Sequence, residues 1–356
     1  MKITKYALIT TLFLTGTLFV GATAQVGATT LEAAVKTAFS KGAELASSTQ
    51  SLQSARSDLT KLQSDPTTLI VSLTQAQQAV TLANTQLNSS RITVLGNVTT
   101  AYLNLFEAQQ NLEVLSKQVA LDSRNLEVTK AKLAQKNGTE LDVRKSENTL
   151  SSAKQNLANQ KAQLPTLSNK LEVLLGSDLK GDLRVADPPA FKEVKVDLAL
   201  LEKTLETNLP TVLQAAQSLE LATLNVKLAD NDYTPANTLN DAKDSLTTAQ
   251  RNADTARKNG VTNLRDAVRN VSSTLEAVRI ARVSLQNDTD SLKQDQQRYK
   301  NGSISRVQLQ TSEVAVLKSA YSLTQAQDNY TKALNSLSAA AGQDITGMIA
   351  KIGGGA

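Results

Sequence analysis

The sequence predicts an all-α protein of long antiparallel coiled-coil helices arranged as two tandem repeats. Three observations carry that prediction. Apolar residues recur every seven positions over many turns, which is the spacing of a seam between supercoiled helices. A set of turn and helix-end landmarks occurs twice in the same order, the mark of an internal repeat. Among the 356 residues there is no Cys, His or Trp, and aromatics make up 3%. Large mixed cores lean on such rings for buried area, whereas helices packed side by side do not need them.

The same absences limit chemistry. Without His or Cys there is no Ser-His or Cys-His nucleophile, no disulfide, and almost no route to a zinc site. No glycine-rich phosphate loop, metal-spaced carboxylate cluster or set of base-stacking aromatics is present. Lys and Arg number 38 against 33 Asp and Glu, a net +5. The two signs alternate along helix faces, as on a solvated surface, so no nucleic-acid partner is expected. Neither a catalytic role nor a cofactor nor a metal is expected.

Residues 1–24 read as a signal peptide. Lys2 and Lys5 give a basic start, Tyr6–Val20 an apolar run, and Ala22-Thr23-Ala24 a small-x-small cleavage site before Gln25. The run is short for a membrane span of about 20 residues. The expected location is therefore the periplasm, with any outer-membrane association running through a partner.

The first helical repeat is expected over 25–190 and the second over 191–356, each short-long-short in helix length, with a small C-terminal tail. Lys136-Asn137-Gly138 and Lys300-Asn301-Gly302 lie 164 residues apart, and Pro66 and Pro235 lie 169 apart. Ser146-Glu147 and Ser312-Glu313 follow the two turns. Leu174-Leu175-Gly176 and Ala340-Ala341-Gly342 close the two helical patterns. On the first long helix Leu73, Val80, Leu87, Val94, Ala101, Ala108 and Leu115 repeat by sevens. A second stripe runs Leu105, Leu112, Val119, Leu126, Leu133, while Asp122 and Thr129 interrupt the companion positions of the first. Val143, Leu150, Leu157, Leu164 and Leu171 follow the first turn. The second repeat carries Leu264, Val271, Val278, Leu285, Leu292 and Tyr299, then Leu309, Val316, Leu323, Tyr330 and Leu337. Between Pro66 and Gly138 a continuous helix would reach roughly 108 Å at about 1.5 Å per residue. Gly96 and Gly260 should loosen each long helix near its middle, at about 1 kcal/mol each relative to Ala. Ser177–Lys195, with Gly181, Pro188 and Pro189, is the expected connector.

These features together resemble the TolC family of outer-membrane efflux proteins over nearly all of Thr29–Gly342. The carriers are Leu31-Glu32-Ala33-Ala34-Val35, Thr100-Ala101-Tyr102-Leu103-Asn104 and Arg298-Tyr299-Lys300-Asn301-Gly302-Ser303-Ile304-Ser305. The resemblance implies a homotrimer whose duplicated protomers form a helical tunnel across the periplasm. It also implies a periplasmic adaptor and an inner-membrane transporter as partners. Gly138 and Thr139, with Gly302, Ser303, Ile304 and Ser305, would be the tip turns where an adaptor docks. A bare structural account needs only tight turns with a glycine at positive φ.

Two departures accompany the resemblance. The family inserts membrane strands after the positions of Pro66 and Pro235, and transmembrane strands need about 9–11 residues each. Neither gap has room for them, so the expected protomer is TolC-like without the membrane β-barrel, and a separate outer-membrane barrel protein becomes a candidate partner. The family also often carries aspartates six and nine residues after the second tip glycine, at the tunnel entrance. Here Gln308 and Thr311 stand there. In the first repeat Asp142 is the nearby candidate, two residues earlier than the pattern when counted from Gly138. Two functions follow: an efflux conduit, or a structural coiled-coil spacer that kept the helices and lost transport.

Overall fold

Helix lengths run in a series that the chain traverses twice. α1 (Leu31–Lys41) and α2 (Ala43–Ser64) precede the 65-residue α3 (Ile70–Ala134) and the 36-residue α4 (Glu140–Leu175). α5 (Leu198–Asn208) and α6 (Pro210–Ala229) then precede the 65-residue α7 (Ala236–Lys300) and the 36-residue α8 (Arg306–Ala341), with a short α9 (Met348–Ile352) behind them. The computed structural model describes residues 28–177, 182–188 and 191–352. The expected signal peptide of residues 1–24, Gly181 and Pro189 of the expected connector, and the expected division at 190 lie outside the described residues.

The short opening helix of each half is two helices rather than one. In the first half the break falls at Gly42, whose backbone is extended (φ −70°, ψ 121°). In the second half Pro210 opens α6 and lacks the N–H that a continuing helix would bond four residues back. Thr30 caps α1 by accepting from the Ala33 N–H at 3.2 Å, and Asp197 caps α5 from Leu200 N–H at 3.1 Å. α3 and α7, at about 98 Å each, pass through Gly96 and Gly260 without interruption. A Cβ on Gly260 would lie 3.2 Å from a Val212 methyl, so this glycine lets the start of α6 approach α7 rather than loosening the helix.

α4 packs on one half of α3, while α1 and α2 pack along the other; α8 and the α5–α6 pair divide α7 in the same way. The halves meet where α3 touches α8 and α6. The helices therefore lie side by side as α4, α3, α8, α7 toward the turns that close the long helices. α3 is interior in this layer, and α4 and α7 form its two borders.

The heptad residues do the packing. Leu87, Val94, Leu105 and Leu171 join Leu31 and Val35 in one core; Leu264, Val271, Val278 and Leu337 join Leu201 and Leu205 in the other. Each such side chain contributes on the order of 1.5–3 kcal/mol when fully buried. Tyr299 departs from the expected stripe: it is 39% exposed, with the Arg306 guanidinium 5.8 Å above its ring. The seam breakers have partners. Asp122 is buried and accepts from Gln118 at 2.9 Å, and the Thr129 hydroxyl meets that of Ser146 at 3.2 Å.

Halfway along α3 the fully buried Tyr102 ties three segments together. Its hydroxyl lies 2.7 Å from the Ala186 carbonyl and 3.0 Å from that of Thr29. Thr29 itself pairs with the connector, through Thr29 N–H to Arg184 O and Ala186 N–H to Thr29 O, both at 3.0 Å. Burial pushes the phenol up to about 12. In the second half the Tyr330 hydroxyl accepts from the Val194 N–H at 2.9 Å, and the Phe191 ring packs on it at 5.2 Å.

Among the described residues there is no β-strand; the Thr29–Val185 contact is an isolated parallel bridge. Where the resemblance places strand insertions, α2 passes to α3 through residues 65–69 and α6 to α7 through residues 230–235. No described helix is long and apolar enough to cross a membrane.

Candidate functional site

The sequence singles out the two turns that close the long hairpins, and both are built by the same hydrogen bonds. After α3, Lys136 N–H bonds Leu133 O at 2.9 Å and Asn137 N–H bonds Lys132 O at 2.8 Å. After α7, Gly302 N–H bonds Tyr299 O at 2.9 Å and Ser303 N–H bonds Arg298 O at 2.8 Å. Each pair is a Schellman closure, which satisfies orphan carbonyls by placing one residue in the left-handed region. In the second turn that residue is Gly302, at φ 71°. In the first it is Lys136, at φ 60°, not Gly138.

Matching the two turns bond for bond therefore sets Lys136 against Gly302, Gly138 against Ile304 and Thr139 against Ser305. The offset is 166, not the 164 of the Lys-Asn-Gly tripeptides. The same 166 relates Ile70 to Ala236, Glu140 to Arg306 and Gly176 to Gly342. It also sets Leu69, not Pro66, against Pro235. The tripeptide and the proline pairs are thus out of register. Glycine relieves left-handed strain only at Gly302; a lysine tolerates it at the first turn, at a cost of about 1–2 kcal/mol. The signal that could have revealed this was in the sequence: the Ser-Glu pairs at 146 and 312 already stand 166 apart.

The helices that leave the turns start on capping boxes. Thr139 accepts from Asp142 N–H at 3.2 Å, while its own N–H and hydroxyl reach Asp142 Oδ2 at 3.1 and 2.8 Å. Ser305 accepts from Gln308 N–H at 3.2 Å and donates its N–H to Gln308 Oε1 at 2.8 Å. Two orphan N–H groups are satisfied at each start. The Thr139 hydroxyl, then its backbone N–H, hold the Asp142 carboxyl below its ordinary value. In the 166 register Asp142 occupies the position of Gln308, so the two-residue discrepancy counted from Gly138 disappears. Thr311 turns its hydroxyl back onto Val307 O at 2.9 Å. Ser303 and Ile304 span the second turn between Gly302 and the cap.

Around the turns the chemistry is that of a solvated surface. Lys130–Glu147 at 3.0 Å and Arg298–Asp295 at 3.4 Å are exposed pairs worth about 0–1 kcal/mol each. Ser312 donates to Asp295 at 2.5 Å, the counterpart of Thr129 with Ser146. Among the described residues no group of three or more acidic, His or Cys side chains is placed to hold a metal ion.

This helical architecture matches known proteins. Residues 69–177, under a third of the chain, match the family model described as outer membrane efflux protein. The outer membrane protein VceC of Vibrio cholerae superposes with a TM-score of 0.63 at 13% identity, over 88% of this chain and 96% of that one. The CmeC outer membrane channel of Campylobacter jejuni gives 0.62 at 13%, over 91% and 89%. The fold is TolC-like. A membrane protein from Pseudomonas aeruginosa gives 0.65 at 13%, over 88% and 90%. No curated protein sequence matches the chain. The TolC-like fold here carries turns, not strands, at residues 65–69 and 230–235.

Proposed function

We propose that this chain is a non-catalytic component of an efflux conduit, a homotrimer that passes solutes across the periplasm between an inner-membrane transporter with its adaptor and the outer membrane. The observation that carries the reading is the open layer α4, α3, α8, α7. Its borders expose apolar side chains, Leu141 and Val173 on α4 and Ile280 and Val283 on α7, at 55–63%. Apolar residues on both borders of an open helix layer fit closure onto further copies of the chain. The two halves, each with its turn at the same end, would then form the tandem repeats of every protomer. Gly138, Thr139, Gly302, Ser303, Ile304 and Ser305 would form the adaptor-facing tips, with Asp142, Gln308 and Thr311 beside the entrance.

A second reading rests on residues 65–69 and 230–235. With turns where the family has membrane strands, the chain either docks on a separate outer-membrane barrel protein or serves as a coiled-coil spacer without transport. Particle imaging of the purified protein lacking residues 1–24 separates the readings. A hollow trimer supports the conduit; a solid bundle supports the spacer.

A further inference from the structure

The seams within each half are mainly apolar, but the seam that joins the halves is polar and partly charged. Along α3 against α8, Lys318 donates to Gln118 at 2.7 Å, and Lys332 reaches both Asn104 and Glu107 at 2.9 Å. Asp328 lies among them at 3% exposure, and its Oδ2 has no hydrogen-bond donor. The groups that act on Asp328 are Glu107 across the seam and Lys332 one turn along its own helix. α7 and α5, the other helices packed on α8, add no titratable group to that set. Tyr321, two turns back along α8, also feels Glu107 and Asp328. Two carboxyls can share a hydrogen bond only when one of them holds a proton, and a single lysine neutralises only one carboxylate.

We propose that the α3–α8 seam is a proton-sensitive joint between the two halves, closed when Asp328 is protonated against Glu107 and loosened when it ionises. Burial, then the charge of Glu107, raise the Asp328 carboxyl from 3.8 to about 7. An opened seam hydrates the group and returns it toward 3.8. Opening therefore releases a proton over that interval. The closed seam is favoured fully below pH 4, loses ground as pH rises from 4 to 7, and gains no further sensitivity above. One proton coupled to one opening gives up to about a tenfold change in the open population per pH unit.

The test is hydrogen exchange on the purified protein lacking residues 1–24, from pH 4 to 8, corrected for intrinsic rates. Peptides covering 96–118 and 318–335 should lose protection progressively between pH 4 and 7, by up to about tenfold per pH unit. Peptides around Leu264–Val278, in an apolar seam, should not. Asp328→Asn should flatten the profile. A wild-type profile with no such loss, or one that Asp328→Asn leaves unchanged, would overturn the proposal. Two further measurements do not depend on that variant folding. Carbon NMR of the wild-type carboxyls should show one aspartate titrating near 7; if all titrate near 4 the joint does not exist. In this cysteine-free chain, Gly96→Cys with Asn335→Cys places two Cβ atoms about 3.8 Å apart, the mean for a disulfide. Oxidation should abolish the pH dependence and reduction restore it, whereas a profile insensitive to this staple would place the motion elsewhere.

Discussion

Of the described residues with the left-handed backbone that favours glycine, Gly302, Gly342 and Lys136 differ in what a substitution would change. Gly302 has nothing within 4 Å of an added Cβ, so only its φ of 71° resists substitution. Gly302→Val should cost about 1–2 kcal/mol and disturb the turn locally, leaving the far-ultraviolet helical signal intact. At Gly342, with φ 67°, an added Cβ would fall on the Asn208 carbonyl, backbone against backbone. Gly342→Ala should therefore lower the urea midpoint more than Gly302→Ala does, although the dihedral strain is nearly equal. Lys136→Gly should act oppositely and stabilise by about 0.5–1 kcal/mol, the relief of left-handed strain less the added chain entropy. Equal midpoints for Lys136→Gly and the parent would mean that the lysine bears its dihedral without strain. The residue scale is also where sequence was least informative. Lys-Asn-Gly looks alike at both turns, yet the hydrogen bonds choose its first residue in one and its last in the other. A tripeptide cannot show which of its residues turns left; the flanking helices decide.

At the scale of elements, the capping boxes differ by one side chain. Thr139 pairs with a carboxylate and Ser305 with an amide. The Asp142 carboxyl lies below its ordinary value, so its contribution is present above about pH 4 and is lost as pH falls through the lowered value. Acid should fray the start of α4 while α8 holds, visible as exchange of the amides of residues 139–143 but not 305–309. Equal fraying at both starts would show that the carboxylate is not what secures α4. Thr139→Ala and Ser305→Ala should each cost about 1 kcal/mol, at any pH above that window. Long helices, their lengths and their apolar seams were legible because a repeat of seven admits few other meanings. The seam between the halves was not legible. Asp328 and Lys332 stand four apart on α8, the spacing of an ordinary surface pair. Only the placement of α3 over them turns that pair into a buried one. Nor did the sequence show the break at Gly42, where extended backbone splits one expected helix into two.

For the whole molecule, the proposed conduit, with turns at 65–69 and 230–235, can be tested in solution. Residues 25–356, expressed without the signal, should remain in solution without detergent, give an almost wholly helical far-ultraviolet spectrum, and sediment as three chains. Dependence on detergent with a sizeable β signal would mean that this chain makes its own pore. A stable monomer at micromolar concentration would instead leave the borders α4 and α7 unexplained. The knot at Tyr102 bears on how such an object can be handled. Because Thr29 is pinned to Ala186 and Arg184 beside the midpoint of α3, anything fused ahead of it emerges at half-height, far from both ends of the hairpins. A fluorophore or gold particle there would mark the equator of the assembly, and an antibody against it would leave the tips free to bind.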